Sequence, residues 1–162
     1  MVPSSHVKES ILNNGINEKK ILFNPYGADI KKFIKKPFTK KTKFKIIYGG
    51  GICFRKGTHR LIHAFNKLNL PQSELILAGN IDHNFRQFLH TVCLDNIKLL
   101  WSINYEKFAN ELQEASIFVH PSLCEGLSLV LMQALSAGLP IICTDRTGGQ
   151  DFIKNGKTGY VV

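Results

Sequence analysis

Glu125 and Gln133 stand eight residues apart in the segment His120-Pro-Ser-Leu-Cys-Glu-Gly-Leu-Ser-Leu-Val-Leu-Met-Gln-Ala-Leu-Ser-Ala-Gly-Leu-Pro-Ile-Ile142. The segment reads as the end of a buried strand, a short loop with one acid and one glycine, an apolar helix and a second buried strand. Where a strand gives way to a helix, free backbone N–H groups and the helix dipole favour anionic ligands. Glu125 sits at that mouth, and Gln133 lies within the helix. At about 1.5 Å per residue, eight residues span about 12 Å, so the two side chains cannot hold one small group. They could touch two parts of one elongated ligand, which is the shape of a nucleotide-sugar. Glu125 also has a plain structural reading, as a carboxylate worth about 0.3–1 kcal/mol at a helix N-terminus.

A second constellation lies upstream, in Gly49-Gly50-Gly51-Ile52-Cys53-Phe54-Arg55-Lys56-Gly57. Glycines let a backbone approach a phosphate closely, and Arg55 or Lys56 can neutralise it. The run is neither a dinucleotide Gly-x-Gly-x-x-Gly nor a P-loop, and packing alone explains many glycine turns. His120, before Pro121, reads as a packed or capping imidazole. His59, His63, His83 and His90 lack carboxylate partners at metal-ligand spacing. Helix capping accounts for Asp145 and Asp151, and core packing is the preferred account of Trp101. No serine or cysteine has the Gly-x-Ser-x-Gly setting of an activated nucleophile.

The elements that position these residues follow from apolar patterning. Continuous apolar runs at 44–48, 75–78, 97–101, 117–119 and 140–143 read as strands buried on both faces. Helix-like segments alternate with them, the clearest carrying Leu61, Ile62, Phe65 and Leu68 on one face and ending before Pro71. This alternation predicts an α/β fold with a Rossmann-like parallel sheet and helices on both faces. Residues 4–13 suggest an amphipathic helix and 21–24 a short strand. The lysine-rich stretch to residue 43 reads as a linker into the main domain, which runs from 44 to 162.

The residues in order resemble the retaining GT-B glycosyltransferases of the Glu-x7-Glu type, glycosyltransferase family 4. Pro121-Ser122, Glu125-Gly126-Leu127-Ser128-Leu129, Gln133-Ala134-Leu135 and Gly138-Leu139-Pro140-Ile141-Ile142 match its signature in spacing. The second Glu of that signature is here Gln133. Asn24-Pro25-Tyr26-Gly27-Ala28-Asp29 with Phe33 is similar to the family's hinge segment, with an altered turn. Ile46 to Gly57 followed by Leu61-Ile62 and Ala64-Phe65, Glu74 to Gly79, and Thr147-Gly148-Gly149 are similar to further family segments. The resemblance runs from about Ser5 to the last residue and implies the C-terminal, donor-binding half of a GT-B fold.

It further implies transfer of a sugar from a nucleotide-diphosphate donor to a sugar or glycolipid acceptor, with retention. Glu125 and Lys56 take the catalytic positions: Glu125 on donor-sugar hydroxyls, Lys56 on the diphosphate. Arg55, Gly51, Gly126, Leu127, Ser128, Leu129 and Gln133 take donor-binding positions. Gly51 occupies the place of the family's arginine, so Arg55 either substitutes for it or faces solvent. Gln133 stands where the second Glu grips ribose hydroxyls and keeps one amide acceptor for that task. The family implies no cofactor, since the nucleotide-sugar is a substrate, and no metal. A family member has two Rossmann-like halves, so the resemblance implies a fragment, with 1–43 a remnant of the interdomain segment and lysine-rich linker and 44–162 the nucleotide-sugar-binding Rossmann-like domain, truncated at its C-terminal end. Alternatives are a nucleotide-sugar-binding module or inactive fragment needing a separate acceptor-binding polypeptide, and a GT-B-like epimerase.

Composition sets outer bounds. The chain has 162 residues, 44% of them hydrophobic and 20% charged, as an ordinary globular domain does. It lacks the roughly 20-residue apolar stretch of a membrane span and a signal-peptide core. Cys53, Cys93, Cys124 and Cys143 read as buried thiols in a reducing compartment. Of the formal charge of +9, much lies in Lys31, Lys32, Lys35, Lys36, Lys40, Lys41, Lys43 and Lys45. A solvated linker is the first reading of that run, and contact with anionic lipid the second. No aromatics interleave with the lysines, which argues against nucleic acid. The expected location is cytoplasmic, either free or peripheral at the inner face of the membrane.

Overall fold

The structure, a computed structural model, describes residues 1–34, 43–101 and 103–162. Lys35, Lys36, Lys40 and Lys41, and with them most of the expected linker, lie outside the described residues. Six strands form one sheet: β1 (Phe44–Gly49), β2 (Ser73–Ala78), β3 (Ile97–Leu100), β4 (Ile117–His120), β5 (Ile141–Cys143) and β6 (Gly159–Val161). Among the described residues five α-helices accompany them: α1 (Ser5–Asn13), α2 (Thr58–Leu68), α3 (His83–Leu89), α4 (Tyr105–Glu114) and α5 (Leu129–Ser136). The strand order is β3-β2-β1-β4-β5-β6, and every adjacent pair is parallel.

The two-residue alternation of a strand explains the two cores. From β1, Ile46 and Tyr48 enter a cluster with Leu61, Ile62 and Phe65 of α2 and Phe85 and Leu89 of α3. Ile47 points the other way, into a cluster with Phe108 and Leu112 of α4, Leu131 and Ala134 of α5, and Phe118 and Ile141. Both faces are therefore covered, which is why consecutive residues such as Ile46, Ile47 and Tyr48 are apolar rather than alternating with polar ones.

Phe33, from the segment before the linker, is fully buried in the second core. The Oγ of Ser136, on α5, donates to its carbonyl oxygen at 2.8 Å. Helix α1 starts behind the N-cap Ser4, whose Oγ accepts from the Val7 N–H and donates to the Gly126 carbonyl. Asp151 accepts from the backbone N–H of Ser5 at 2.7 Å and from its hydroxyl. That carboxylate therefore caps α1, across 146 residues of sequence, rather than a helix of its own.

Four further expectations change. Residues 21–24 form no strand, only the isolated bridge of Phe23 with Val2. Leu68, at the end of α2, is 62% exposed, because the helix closes there and Asn69 turns left-handed. Cys93 and Cys124 are exposed and Cys53 half-buried, leaving Cys143 as the buried thiol. Trp101 is 54% exposed just beyond β3, with the Arg86 guanidinium 5.1 Å from its ring centroid. Strand β6 carries no long apolar run and was not foreseen. Among the described residues no helix is long and apolar enough to cross a membrane.

Candidate functional site

The sheet turns direction at its middle. Strands β1, β2 and β3 are laid down toward one edge, and β4, β5 and β6 toward the other. The order reverses between β1 and β4, and the carboxyl ends of the strands at such a point are the usual ligand site of an open α/β sheet.

The β1 loop runs from Gly50 to Gly57. Thr58 is fully buried and closes the loop: its Oγ1 donates to the Cys53 carbonyl at 3.1 Å and accepts the Cys53 N–H at 3.3 Å. Two glycines make this geometry possible. Gly57 has φ of 68°, and a Cβ there would strike the Pro121 carbonyl of the β4 loop. Gly79, at φ of 149°, lies so close to the Gly50 carbonyl that it too excludes a side chain. The β4 loop then meets the β1 loop directly, with the Leu123 N–H donating to the Arg55 carbonyl at 3.0 Å.

This close approach brings the charged candidates together. Lys56 forms an ion pair with Glu125, and their side chains are only 16% and 15% exposed. Arg55 lies outside them, its side chain 60% exposed, with Nη1 at 3.8 Å from Glu125 and donating to the Cys124 carbonyl at 3.0 Å. Burial, first, and the Arg55 guanidinium, second, pull Lys56 below its ordinary value. The Glu125 carboxylate beside it acts in the opposite sense, since an ion pair favours the charged form. The Glu125 backbone is held in turn, its N–H donating to the Arg146 carbonyl at 2.8 Å.

Behind this pair, His120 ends β4 fully buried, stacked on Tyr48 at 5.8 Å and Phe118 at 6.1 Å. Burial, and next the charge of Lys56, drive its pKa down to about 3. Neither ring nitrogen has a hydrogen-bond partner. His120 is thus a neutral packing group, as its sequence position suggested.

Gly126, Leu127, Ser128 and Leu129 lead into α5. Leu127 spends its side chain in the core, and Ser128 does not cap the helix. The first turn of α5 is therefore left without a side-chain cap, available to an anion. Gly126 lies against Val7 and Ser4 of the N-terminal segment.

A cleft of about 390 Å³ opens beside the glycine turn. Gly50, Gly51, Gly79 and Asn80 line its floor, and Ile103, Tyr105, Val130 and Gln133 are among its walls. Of the sequence candidates, Gly51 and Gln133 face this cleft, while Lys56, Arg55 and Glu125 form the charged cluster along the same strand ends. Helix α5 joins the two, with Glu125 before its first turn and Gln133 in its second. The Gln133 Nε2 donates to the Tyr105 hydroxyl at 3.2 Å. Asn80, Ile103 and Tyr105 escaped the sequence reading. Their common signal is position, each falling within a few residues after a strand's carboxyl end.

A family model described as "Glycosyl transferases group 1" matches residues 29–162. Over 148 residues the chain is 28% identical to the putative glycosyltransferase YtcC of Bacillus subtilis, covering 84% of this chain and 36% of that one. Among solved structures, Anabaena HepE in complex with UDP-glucose superposes with a TM-score of 0.86 at 17% identity, over 99% of this chain and 48% of that one. The C-terminal domain of the group 1 protein LpcC from Francisella tularensis matches with a TM-score of 0.72 at 19% identity, over 84% of this chain and 80% of that domain. The chain spans less than half the length of the Bacillus relative and of HepE.

Proposed function

The chain belongs to the group 1 glycosyl transferases, with the fold of the C-terminal GT-B domain, and from that premise we propose that it binds a nucleoside-diphosphate sugar for transfer with retention. The observation that carries this reading is the meeting of Lys56 and Glu125 at the crevice beside the 390 Å³ cleft. The nucleoside enters the cleft and runs past Gln133, and the diphosphate lies over the first turn of α5 against Lys56. Glu125 accepts from donor-sugar hydroxyls, a task suited to a carboxylate with two acceptor oxygens. As the sugar departs, negative charge grows on the diphosphate. Lys56, Arg55 and the amides of Leu127, Ser128 and Leu129 are placed to stabilise it electrostatically. UDP-glucose bound to HepE supports a nucleotide-sugar as the ligand class.

The acceptor, a sugar or glycolipid, would be held by other structure. Leu22, Phe23, Tyr26, Ile30 and Ile34 are exposed apolar residues on the N-terminal segment. They favour a second reading, in which this chain is a donor-binding module completed by an acceptor-binding half.

Calorimetric titration with UDP, GDP and ADP, and with their sugar conjugates, tests the proposal. One base should bind best, and Lys56→Ala should weaken both the diphosphate and its sugar conjugate. Glu125→Gln should weaken only the conjugate. Absence of any binding by the folded chain overturns the reading.

A further inference from the structure

Resting on that donor-site reading, we infer that Tyr105 and Gln133 act as one neutral grip on the nucleotide's ribose diol, with Tyr105 a specificity-determining residue. Two vicinal hydroxyls need two polar partners. A carboxylate offers two acceptor oxygens at once, whereas an amide offers a single acceptor. Gln133 alone therefore sets one acceptor atom against the diol where a carboxylate sets two.

The structure supplies the second partner. Tyr105 is the first residue of α4, set by the Asn104 cap, whose side chain accepts the Lys107 N–H. Its hydroxyl accepts from the Gln133 Nε2 at 3.2 Å, and both residues line the same cleft. This bond fixes the amide. With one Nε2 hydrogen given to Tyr105, Oε1 stays available to accept and the second Nε2 hydrogen to donate. The Tyr105 oxygen keeps its own proton and a second lone pair. The pair thus presents two adjacent uncharged groups: Gln133 accepts from one hydroxyl, and Tyr105 donates to or accepts from the other.

The tyrosine ring is held in place independently of any ligand. Phe33 packs edge-on against it at 4.8 Å between centroids, and the Lys32 ammonium lies 5.4 Å from its centroid. Phe33 is itself fully buried and anchored by Ser136 on the helix that carries Gln133. The two halves of the grip, from α4 and α5, are therefore braced by one shared aromatic anchor. A site built to hydrogen-bond a hydroxyl discriminates against the analogue lacking it, because its own polar groups are left unpaired.

The test is calorimetry on this chain with whichever of UDP, GDP and ADP binds best and with its 2′,3′-dideoxy analogue. Tyr105→Phe is the key variant, since it keeps the ring between Phe33 and Lys32 and removes only the hydroxyl. The wild type should prefer the ribonucleotide by about tenfold to thirtyfold, as expected for two neutral hydrogen bonds. Tyr105→Phe should cut that preference to about threefold while leaving the dideoxy affinity unchanged. Adding Gln133→Glu to Tyr105→Phe should restore the preference by returning a second acceptor. If Tyr105→Phe leaves the preference intact, or weakens both nucleotides equally, the inference is overturned while Lys56-dependent binding keeps the donor-site reading standing. If no diphosphate binds the wild type, both fall together.

Discussion

The two ends of the crevice are built on opposite principles. At one end a partly buried ion pair, Lys56 with Glu125, is clamped between two loops that glycines allow to touch. At the other end Tyr105 and Gln133 share a neutral hydrogen bond in an open cleft. Two buried charges depend on each other, because removing one leaves the other desolvated and unpaired. A neutral pair at a wetter wall loses only the surplus of one hydrogen bond. The charged end should therefore dominate affinity, and the neutral end selectivity.

Substitutions at the charged end should show the largest effects. Lys56→Ala removes the cation and strands Glu125, so diphosphate affinity should fall about thirtyfold to hundredfold by calorimetry. Glu125→Gln separates sugar from phosphate. The nucleotide-sugar should lose about tenfold, while the free diphosphate binds as well or better, its repulsion from the carboxylate gone. Equal losses for both ligands would place Glu125 in a purely structural role. Arg55 is mostly in solvent, and an exposed charge contributes little. Arg55→Ala should therefore cost only about twofold to threefold, an effect that shrinks further with added salt.

His120 tests the packing beneath that end and should not alter affinity at neutral pH. Its folded pKa of about 3 lies below the ordinary histidine value of about 6.5. The unfolded chain consequently binds the proton first, and stability rises with pH across that interval. The contribution is present above about pH 6.5 and is lost progressively as pH falls toward 3. His120→Phe keeps the stack on Tyr48 and Phe118 and loses no hydrogen bond. Denaturant midpoints measured between pH 7 and pH 4 should fall less in this variant than in the wild type.

The same contrast governs how much could be read from residue order. Strands β1 to β5 announce themselves because burial on both faces forces continuous apolar runs. Their predicted ends fall within two residues of the observed ones. At the charged end, Lys56, Glu125 and the glycine turn stand out through the family resemblance, since packing and a helix terminus also explain them one by one, and only the fold shows Lys56 and Glu125 meeting across two loops. Tyr105 did not, since a single tyrosine at a helix start is indistinguishable from a packing residue until α5 is laid beside it. Leu68 and Trp101 were read as core because apolar residues usually are, yet one ends its helix and the other overshoots its strand. Cys93 falls in a loop whose neighbours Val92 and Leu94 pack against the core and leave the thiol outside, while Cys124 lies in a loop beside a likewise exposed Leu123. Strand β6 is short and starts at Gly159, and only its pairing with β5 reveals it.

Helix α5 is tied at both ends to the chain's first thirty-four residues, through Ser4 at Gly126 and through Phe33 at Ser136. These residues act as a splint across the donor loop, although they lie outside the sheet. A chain beginning at Lys43 would keep every strand but lose both ties. In hydrogen–deuterium exchange, the amides from Gly126 to Gln133 should then be among the first to take up label, ahead of β1 and β4. The precision of the binding loop would in that case be a property lent to the sheet by its flanking segment.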